Sequence, residues 1–174
     1  MKGIGGRRDR LDGRKANGDK VGNRTVGLII WIAAAMAAGW VGSRFMPGEW
    51  YASLAKPSWN PPNSVFGPVW STLYVLMGVA AWLVWRKAGF AGAPVALGLF
   101  LLQLVLNSLW SYLFFGAHQP GLAFIELVVL WLVILATTMS FWRVSAPAGM
   151  LLLPYLCWVG FAGALNFQIW RLNS

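Results

Sequence analysis

Charge is scarce in this chain, and acid is scarcer still. Of 174 residues, 11% are Asp, Glu, Lys or Arg and 58% are apolar. So few charged side chains cannot cover the surface of a water-soluble domain. Asp9, Asp12 and Asp19 fall near the amino terminus and Glu49 in a connection, which leaves Glu126 as the one carboxyl inside an apolar run. A proton relay needs more than one such acid, so a pump-like path is not expected. The single cysteine, Cys157, excludes an intrachain disulfide and a multi-cysteine metal or iron–sulfur site. The single histidine, His118, lies in a short turn, and no metal site is expected. Nor does the net charge of +9 indicate nucleic acid, because eight of the fourteen basic residues crowd into 1–24 between acids. That segment reads as a disordered basic tail, and 25–174 as one membrane domain.

What the chain has in abundance is apolar length. Five runs, Val26–Met46, Val65–Trp85, Pro94–Phe115, Gly121–Trp142 and Ala148–Trp170, each hold about twenty residues, enough to cross a roughly 30 Å hydrocarbon layer as helix. The fold expected is an all-α, five-helix transmembrane bundle. Ala35-Met36-Ala37 resembles a signal cleavage site, but the first run continues well past a signal core and is expected to be retained. Small residues at Ala35, Gly39 and Ser43, and at Ala38 and Gly42, recur every four positions and permit close helix approach, to an internal partner or a second subunit. The tail, Arg86-Lys87 and Arg143 fall on one side of the serpentine, so the amino terminus is expected in the cytoplasm and the inner membrane is the expected location.

The first connection is unlike a linker. Trp59-Asn60-Pro61-Pro62 should form a stiff extended strap over Pro57–Pro62, because proline fixes its own φ and drives the preceding residue out of the helical region. Pro68 is expected in the first turn of the second helix. The strap, carrying Trp59, would act as a lid. Beneath it, Gln103, Asn107, Trp110, Ser111 and Phe114 share one face of the third span, and Tyr155, Trp158, Ala162 and Asn166 one stripe of the fifth. Such polar groups bond between helices or line a cavity. Counting about 1.5 Å per residue from the outer side, Trp70, Trp110 and Glu126 lie roughly 8 Å deep, Asn107 about 12 Å, Asn166 about 6 Å and Trp158 about 18 Å. A pocket in the outer half, walled by flat aromatics and a few amides, suits a large planar ligand with a polar edge. Trp50, Trp85, Trp142 and Trp170 suit interfacial belts instead. Glu126 is expected to accept hydrogen bonds from neighbouring helices, or to be protonated.

Four segments carry a specific likeness: W-Y-x-x-L-x-K-P-x-W-x-P-P in the first connection, V-W-x-x-L-Y in the second span, L-N-x-x-W-x-x-x-F-F-G in the third, and P-Y-L-x-W-x-x-F-A-x-x-L-N-F in the fifth. In order and spacing over about residues 26–173 they resemble the TspO/MBR family, the tryptophan-rich sensory or translocator proteins. The resemblance implies a five-helix bundle, commonly a homodimer, whose pocket under the first loop binds porphyrins such as protoporphyrin IX and haem. In some members it also takes sterols and drug-like ligands. It places pocket residues on Tyr51, Pro62, Trp70, Tyr74, Asn107, Trp110, Trp158 and Ala162, to which the reading of the residues adds Trp59 and Asn166. It sets Glu126 where an aspartate is more usual. The sterol stretch departs from the family pattern at Phe167, where tyrosine is wanted. Some bacterial members are assigned to the outer membrane.

Three functions follow as expectations: a tetrapyrrole sensor or receptor, a tetrapyrrole or sterol transporter, and an enzyme degrading porphyrin photochemically through Trp70 and Trp158. Five spans without an internal repeat are unlike an alternating-access transporter. No nucleophile or acid–base pair supports an enzyme, only oxidisable indoles beside a chromophore. Binding is therefore expected as the primary role, with the porphyrin as ligand and no tightly bound cofactor.

Overall fold

In the computed structural model, residues 24–45 and 47–174 are described in full. The tail expected over 1–24 lies outside them except for Arg24. Helix α1 is Gly5–Gly42, its apolar span Arg24–Gly42. A short α2 (Glu49–Ser53) follows, then α3 (Asn63–Gly92), α4 (Pro94–Ser111) continued by a π-helical turn (Tyr112–Gly116), α5 (Pro120–Val144) and α6 (Ala146–Leu172). Among the described residues, five helices are long and apolar enough to cross a membrane. Described residues hold helix, turns and irregular connections but no strand.

The connections explain the antiparallel order. Ala93 alone separates α3 from α4 and Ser145 alone separates α5 from α6, each with a proline at the start of the following helix, where a missing N–H has no intrahelical partner to lose. Near the end of α3, Gly89 adopts φ 65°, ψ −176°, a backbone state that side chains with a Cβ resist. It turns the last residues so that the Phe90 ring reaches Trp31 on α1, centroids 5.7 Å apart.

Lipid tails are as apolar as the core, so close packing rather than exclusion of water holds the bundle together. Small residues supply it. A Cβ on Gly78 of α3 would lie 2.5 Å from the Ile32 Cα of α1, one on Gly39 would lie 2.3 Å from the Tyr74 ring, and one on Gly27 would lie 2.4 Å from Trp85. Gly42 faces Ser111, and Ser108 Oγ donates to Ala38 O at 3.0 Å. The small-residue stripe of α1 is thus spent inside the chain, against α3 and α4. Gly160 and Ala164 of α6 stay exposed, with Trp131 beside Gly160 donating from Nε1 to Leu156 O at 3.1 Å. Met77, Ala80, Ala81, Val84, Leu97 and Phe100 are fully buried among the spans.

Basic side chains gather at one end. There Trp82 donates to Arg24 O at 2.9 Å beneath the Arg86 guanidinium, and Lys87 Nζ donates to Val144 O at 2.6 Å. The first connection and the end of α6 meet at the other end.

Candidate functional site

The connection over this second end begins with the short helix α2 and departs from the expected extended strap at one place: Asn60 N–H donates to Pro57 O at 3.0 Å, closing a turn over Pro57–Asn60. Pro62 itself is extended (φ −57°, ψ 142°), and it caps a helix that already begins at Asn63. Pro68 consequently lies in the second turn of α3. The carbonyl it leaves without an intrahelical donor belongs to Ser64, which is exposed and reachable by water.

The strap is pinned from below. Tyr51 is buried with its ring 5.4 Å from Phe115 and 6.1 Å from Phe114, and its hydroxyl donates to Asn60 Oδ1 at 3.4 Å. Burial pushes the Tyr51 phenol above its ordinary 10.0, and the Asn60 hydrogen bond pulls back against that shift. Lys56 sits 4.6 Å over the Tyr51 ring and donates to Leu54 O at 3.1 Å. Trp50, expected in an interfacial belt, stacks on His118 at 4.3 Å. His118 itself takes φ 55°, uncommon for a residue with a side chain. The other expected belt residues also make inward contacts: Trp85 covers Gly27, Trp170 covers Gly121, and Trp142 covers Gly149 while remaining exposed on its other side.

Beneath the strap the candidate residues form two aromatic groups. Between α3 and α6, Trp70 stacks on Tyr74 at 5.6 Å and meets Tyr155 edge-on at 6.2 Å. Trp158 lies 5.9 Å from Phe66 and 5.5 Å from Phe161, with Ala162 one turn beyond it. Trp59, at the tip of the strap, rests on Phe161 at 5.8 Å. The second group, under Tyr51, joins Trp110 to Phe114 at 5.4 Å and to Phe115 at 5.7 Å. Trp110 packs against both groups' cores and so links them.

The amides are committed to the protein. Tyr74 OH donates to Asn107 Oδ1 at 2.7 Å, Asn107 Nδ2 donates to Tyr155 OH at 3.3 Å, and Tyr155 OH donates to Gln103 Oε1 at 2.7 Å. This buried chain ties α3, α4 and α6. Asn166 Oδ1 accepts from Trp110 Nε1 at 3.0 Å while its Nδ2 donates to Pro120 O at 2.8 Å. Glu126 differs from the expectation that neighbouring helices donate to it: it is buried, and neither carboxyl oxygen has a hydrogen-bond partner among the described residues. The Trp158 indole N–H is likewise buried and unpartnered.

Phe66 and Phe161 were not singled out from sequence. Their spacing gives the signal, since Phe66 stands four residues before Trp70 and Phe161 three after Trp158, on the same helical faces. Pro62 is exposed at the head of α3.

The sequence profile of the TspO/MBR family matches residues 31–171. The chain belongs to the TspO/MBR family. It is 49% identical over 138 residues to the human translocator protein, covering 76% of this chain and 82% of that one. It is 45% identical over 153 residues to a tryptophan-rich protein TspO of Chlorobaculum tepidum, covering 84% and 95%. A tryptophan-rich sensory protein of Cereibacter sphaeroides is 40% identical over 146 residues, covering 84% and 90%. With its five apolar helices, this TspO/MBR chain is an integral membrane protein.

Proposed function

We propose that this TspO/MBR protein is a membrane sensor or receptor that binds a tetrapyrrole, protoporphyrin IX or haem, between α3 and α6 beneath the strap. One observation carries the reading: Trp70 and Trp158 lie on facing helices within a lining of Phe66, Tyr74, Tyr155 and Phe161, with Trp59 over it. Flat indoles and phenyl rings stack on a macrocycle, which offers them more area than any smaller ring. Binding proceeds without axial ligation, because His118 is stacked on Trp50 and Cys157 is exposed on the outside of α6. The protein works as a homodimer in the inner membrane, and sterols or drug-like planar molecules compete for the same lining.

The test is titration of purified protein with metal-free protoporphyrin IX, haem and a sterol. Saturable binding of both tetrapyrroles is expected, unaffected by His118→Ala. Tight haem binding that His118→Ala abolishes, with none of the metal-free ring, would overturn the stacking model.

A second reading is light-dependent porphyrin oxidation. Trp70 stands between two oxidisable phenols, Tyr74 at 5.6 Å and Tyr155 at 6.2 Å, so a photoexcited ring with oxygen could route oxidation through the indole. Trp70→Phe and Trp158→Phe keep an apolar ring that is harder to oxidise. Normal binding with lost bleaching makes these tryptophans participants in the chemistry, while wild-type bleaching reduces them to walls. A third reading, translocation, takes its support from the human relative's name.

A further inference from the structure

Asn173 stands one residue beyond α6, and its side-chain amide is fully used. Nδ2 donates to Ile169 O at 2.7 Å and to Ala55 O at 2.9 Å, while Oδ1 accepts from the Ala55 N–H at 2.9 Å. One bond fixes the amide to the end of its own helix. The other two meet both backbone groups of Ala55 reciprocally, as paired residues of antiparallel strands meet. Ala55 is where the strap leaves α2, and both bonds to it are exposed, so water competes for them. Beyond Ala55 come Pro57, the turn to Asn60, and Pro61-Pro62. These prolines make the segment stiff, so displacement at Ala55 is carried to Trp59 rather than absorbed. Trp59 in turn rests on Phe161, the neighbour of Trp158.

We propose that Asn173 is the latch of the strap. When its clasp on Ala55 opens, residues 55–60 lift, Trp59 leaves Phe161, and the way to Trp158 and Trp70 is free; when it closes, the lining is covered. The latch sets how fast a ligand arrives and leaves without touching it. This rests on the reading that a planar ligand binds beneath the strap. Its signature is kinetic. A residue contacting the ligand changes affinity, whereas a latch changes association and dissociation by the same factor.

The experiment uses the full chain in lipid nanodiscs, with Asn173→Ala and Asn173→Asp. The aspartate keeps the shape but turns a carboxylate oxygen toward the carbonyls of Ala55 and Ile169, so it should open the clasp further. Hydrogen exchange at the Ala55 amide is expected to quicken about tenfold on losing two exposed bonds. Association and dissociation of protoporphyrin IX should quicken together, with affinity and thermal midpoint unchanged. Ala55→Pro, compatible with the extended Leu54 before it (φ −67°, ψ 142°), removes the donor from the other side and should reproduce the binding rates. Unchanged exchange at Ala55 in both Asn173 variants sinks the latch, as does weaker affinity at an unchanged association rate. If wild-type protein binds no porphyrin, the binding reading fails separately and the exchange measurement alone decides the latch.

Discussion

At the scale of single residues, Asn107 changes its meaning once its neighbours are seen. Spacing put it on an inward face, and its oxygen and nitrogen each serve a tyrosine hydroxyl, Tyr74 on one side and Tyr155 on the other. Asn107→Leu should therefore act first on the fold, lowering stability by about 1–3 kcal/mol for the buried Tyr74 hydroxyl it strands, measured by unfolding in detergent. Weakened porphyrin binding at unchanged stability would return Asn107 to the ligand. Tyr51 makes a pH-dependent prediction. Burial raises its phenol above 10.0, so the fold favours the neutral form; its contribution is complete below that ordinary value and is lost as pH climbs through the raised one. Alkaline loosening of the strap, followed by hydrogen exchange, should be blunted in Tyr51→Phe. A variant that loosens over the same alkaline range would locate the titration elsewhere.

At the scale of helices, Gly78 is the crossing least able to give way, its missing Cβ facing Ile32 backbone rather than a movable side chain. Gly78→Val should cost about 1–3 kcal/mol by overpacking the crossing of α1 and α3, whereas Gly98→Ala, with open space around it, should be neutral. Equal effects in an unfolding series would refute this account of the packing. The five spans were legible from length alone, because a bilayer fixes how many apolar residues a helix needs. Their ends were not. The first apolar run continues to Met46 while α1 stops at Gly42, and α3 starts at Asn63, two residues ahead of the apolar run that opens at Val65 and five ahead of Pro68. Hydropathy measures affinity for lipid, and backbone geometry at a helix end answers to prolines, glycines and water. The face bearing Gln103, Asn107, Trp110 and Phe114 was readable from its period, but the partners of those side chains depend on helix tilt and crossing, which leave no trace in one sequence. The clasp at Asn173 was invisible for the same reason.

At the scale of the whole molecule, Arg24, Arg86 and Lys87 share one end, and the strap covers the other. Reporter fusions should place Arg86-Lys87 in the cytoplasm and residues 47–64 outside; a cytoplasmic signal from a fusion at Asn63 would invert the bundle. The clasp joins positions 118 residues apart, and this bears on the order in which the protein assembles. Closing a long loop carries an entropic penalty that neighbouring helices do not face. Helices α5 and α6, with only Ser145 between them, can pair as soon as both are inserted. Ala55 must wait for the last span. During refolding from denaturing detergent, the Ala55 amide should gain protection after those of α5 and α6, so a chain interrupted before α6 could hold Trp70 in place yet never shut its strap.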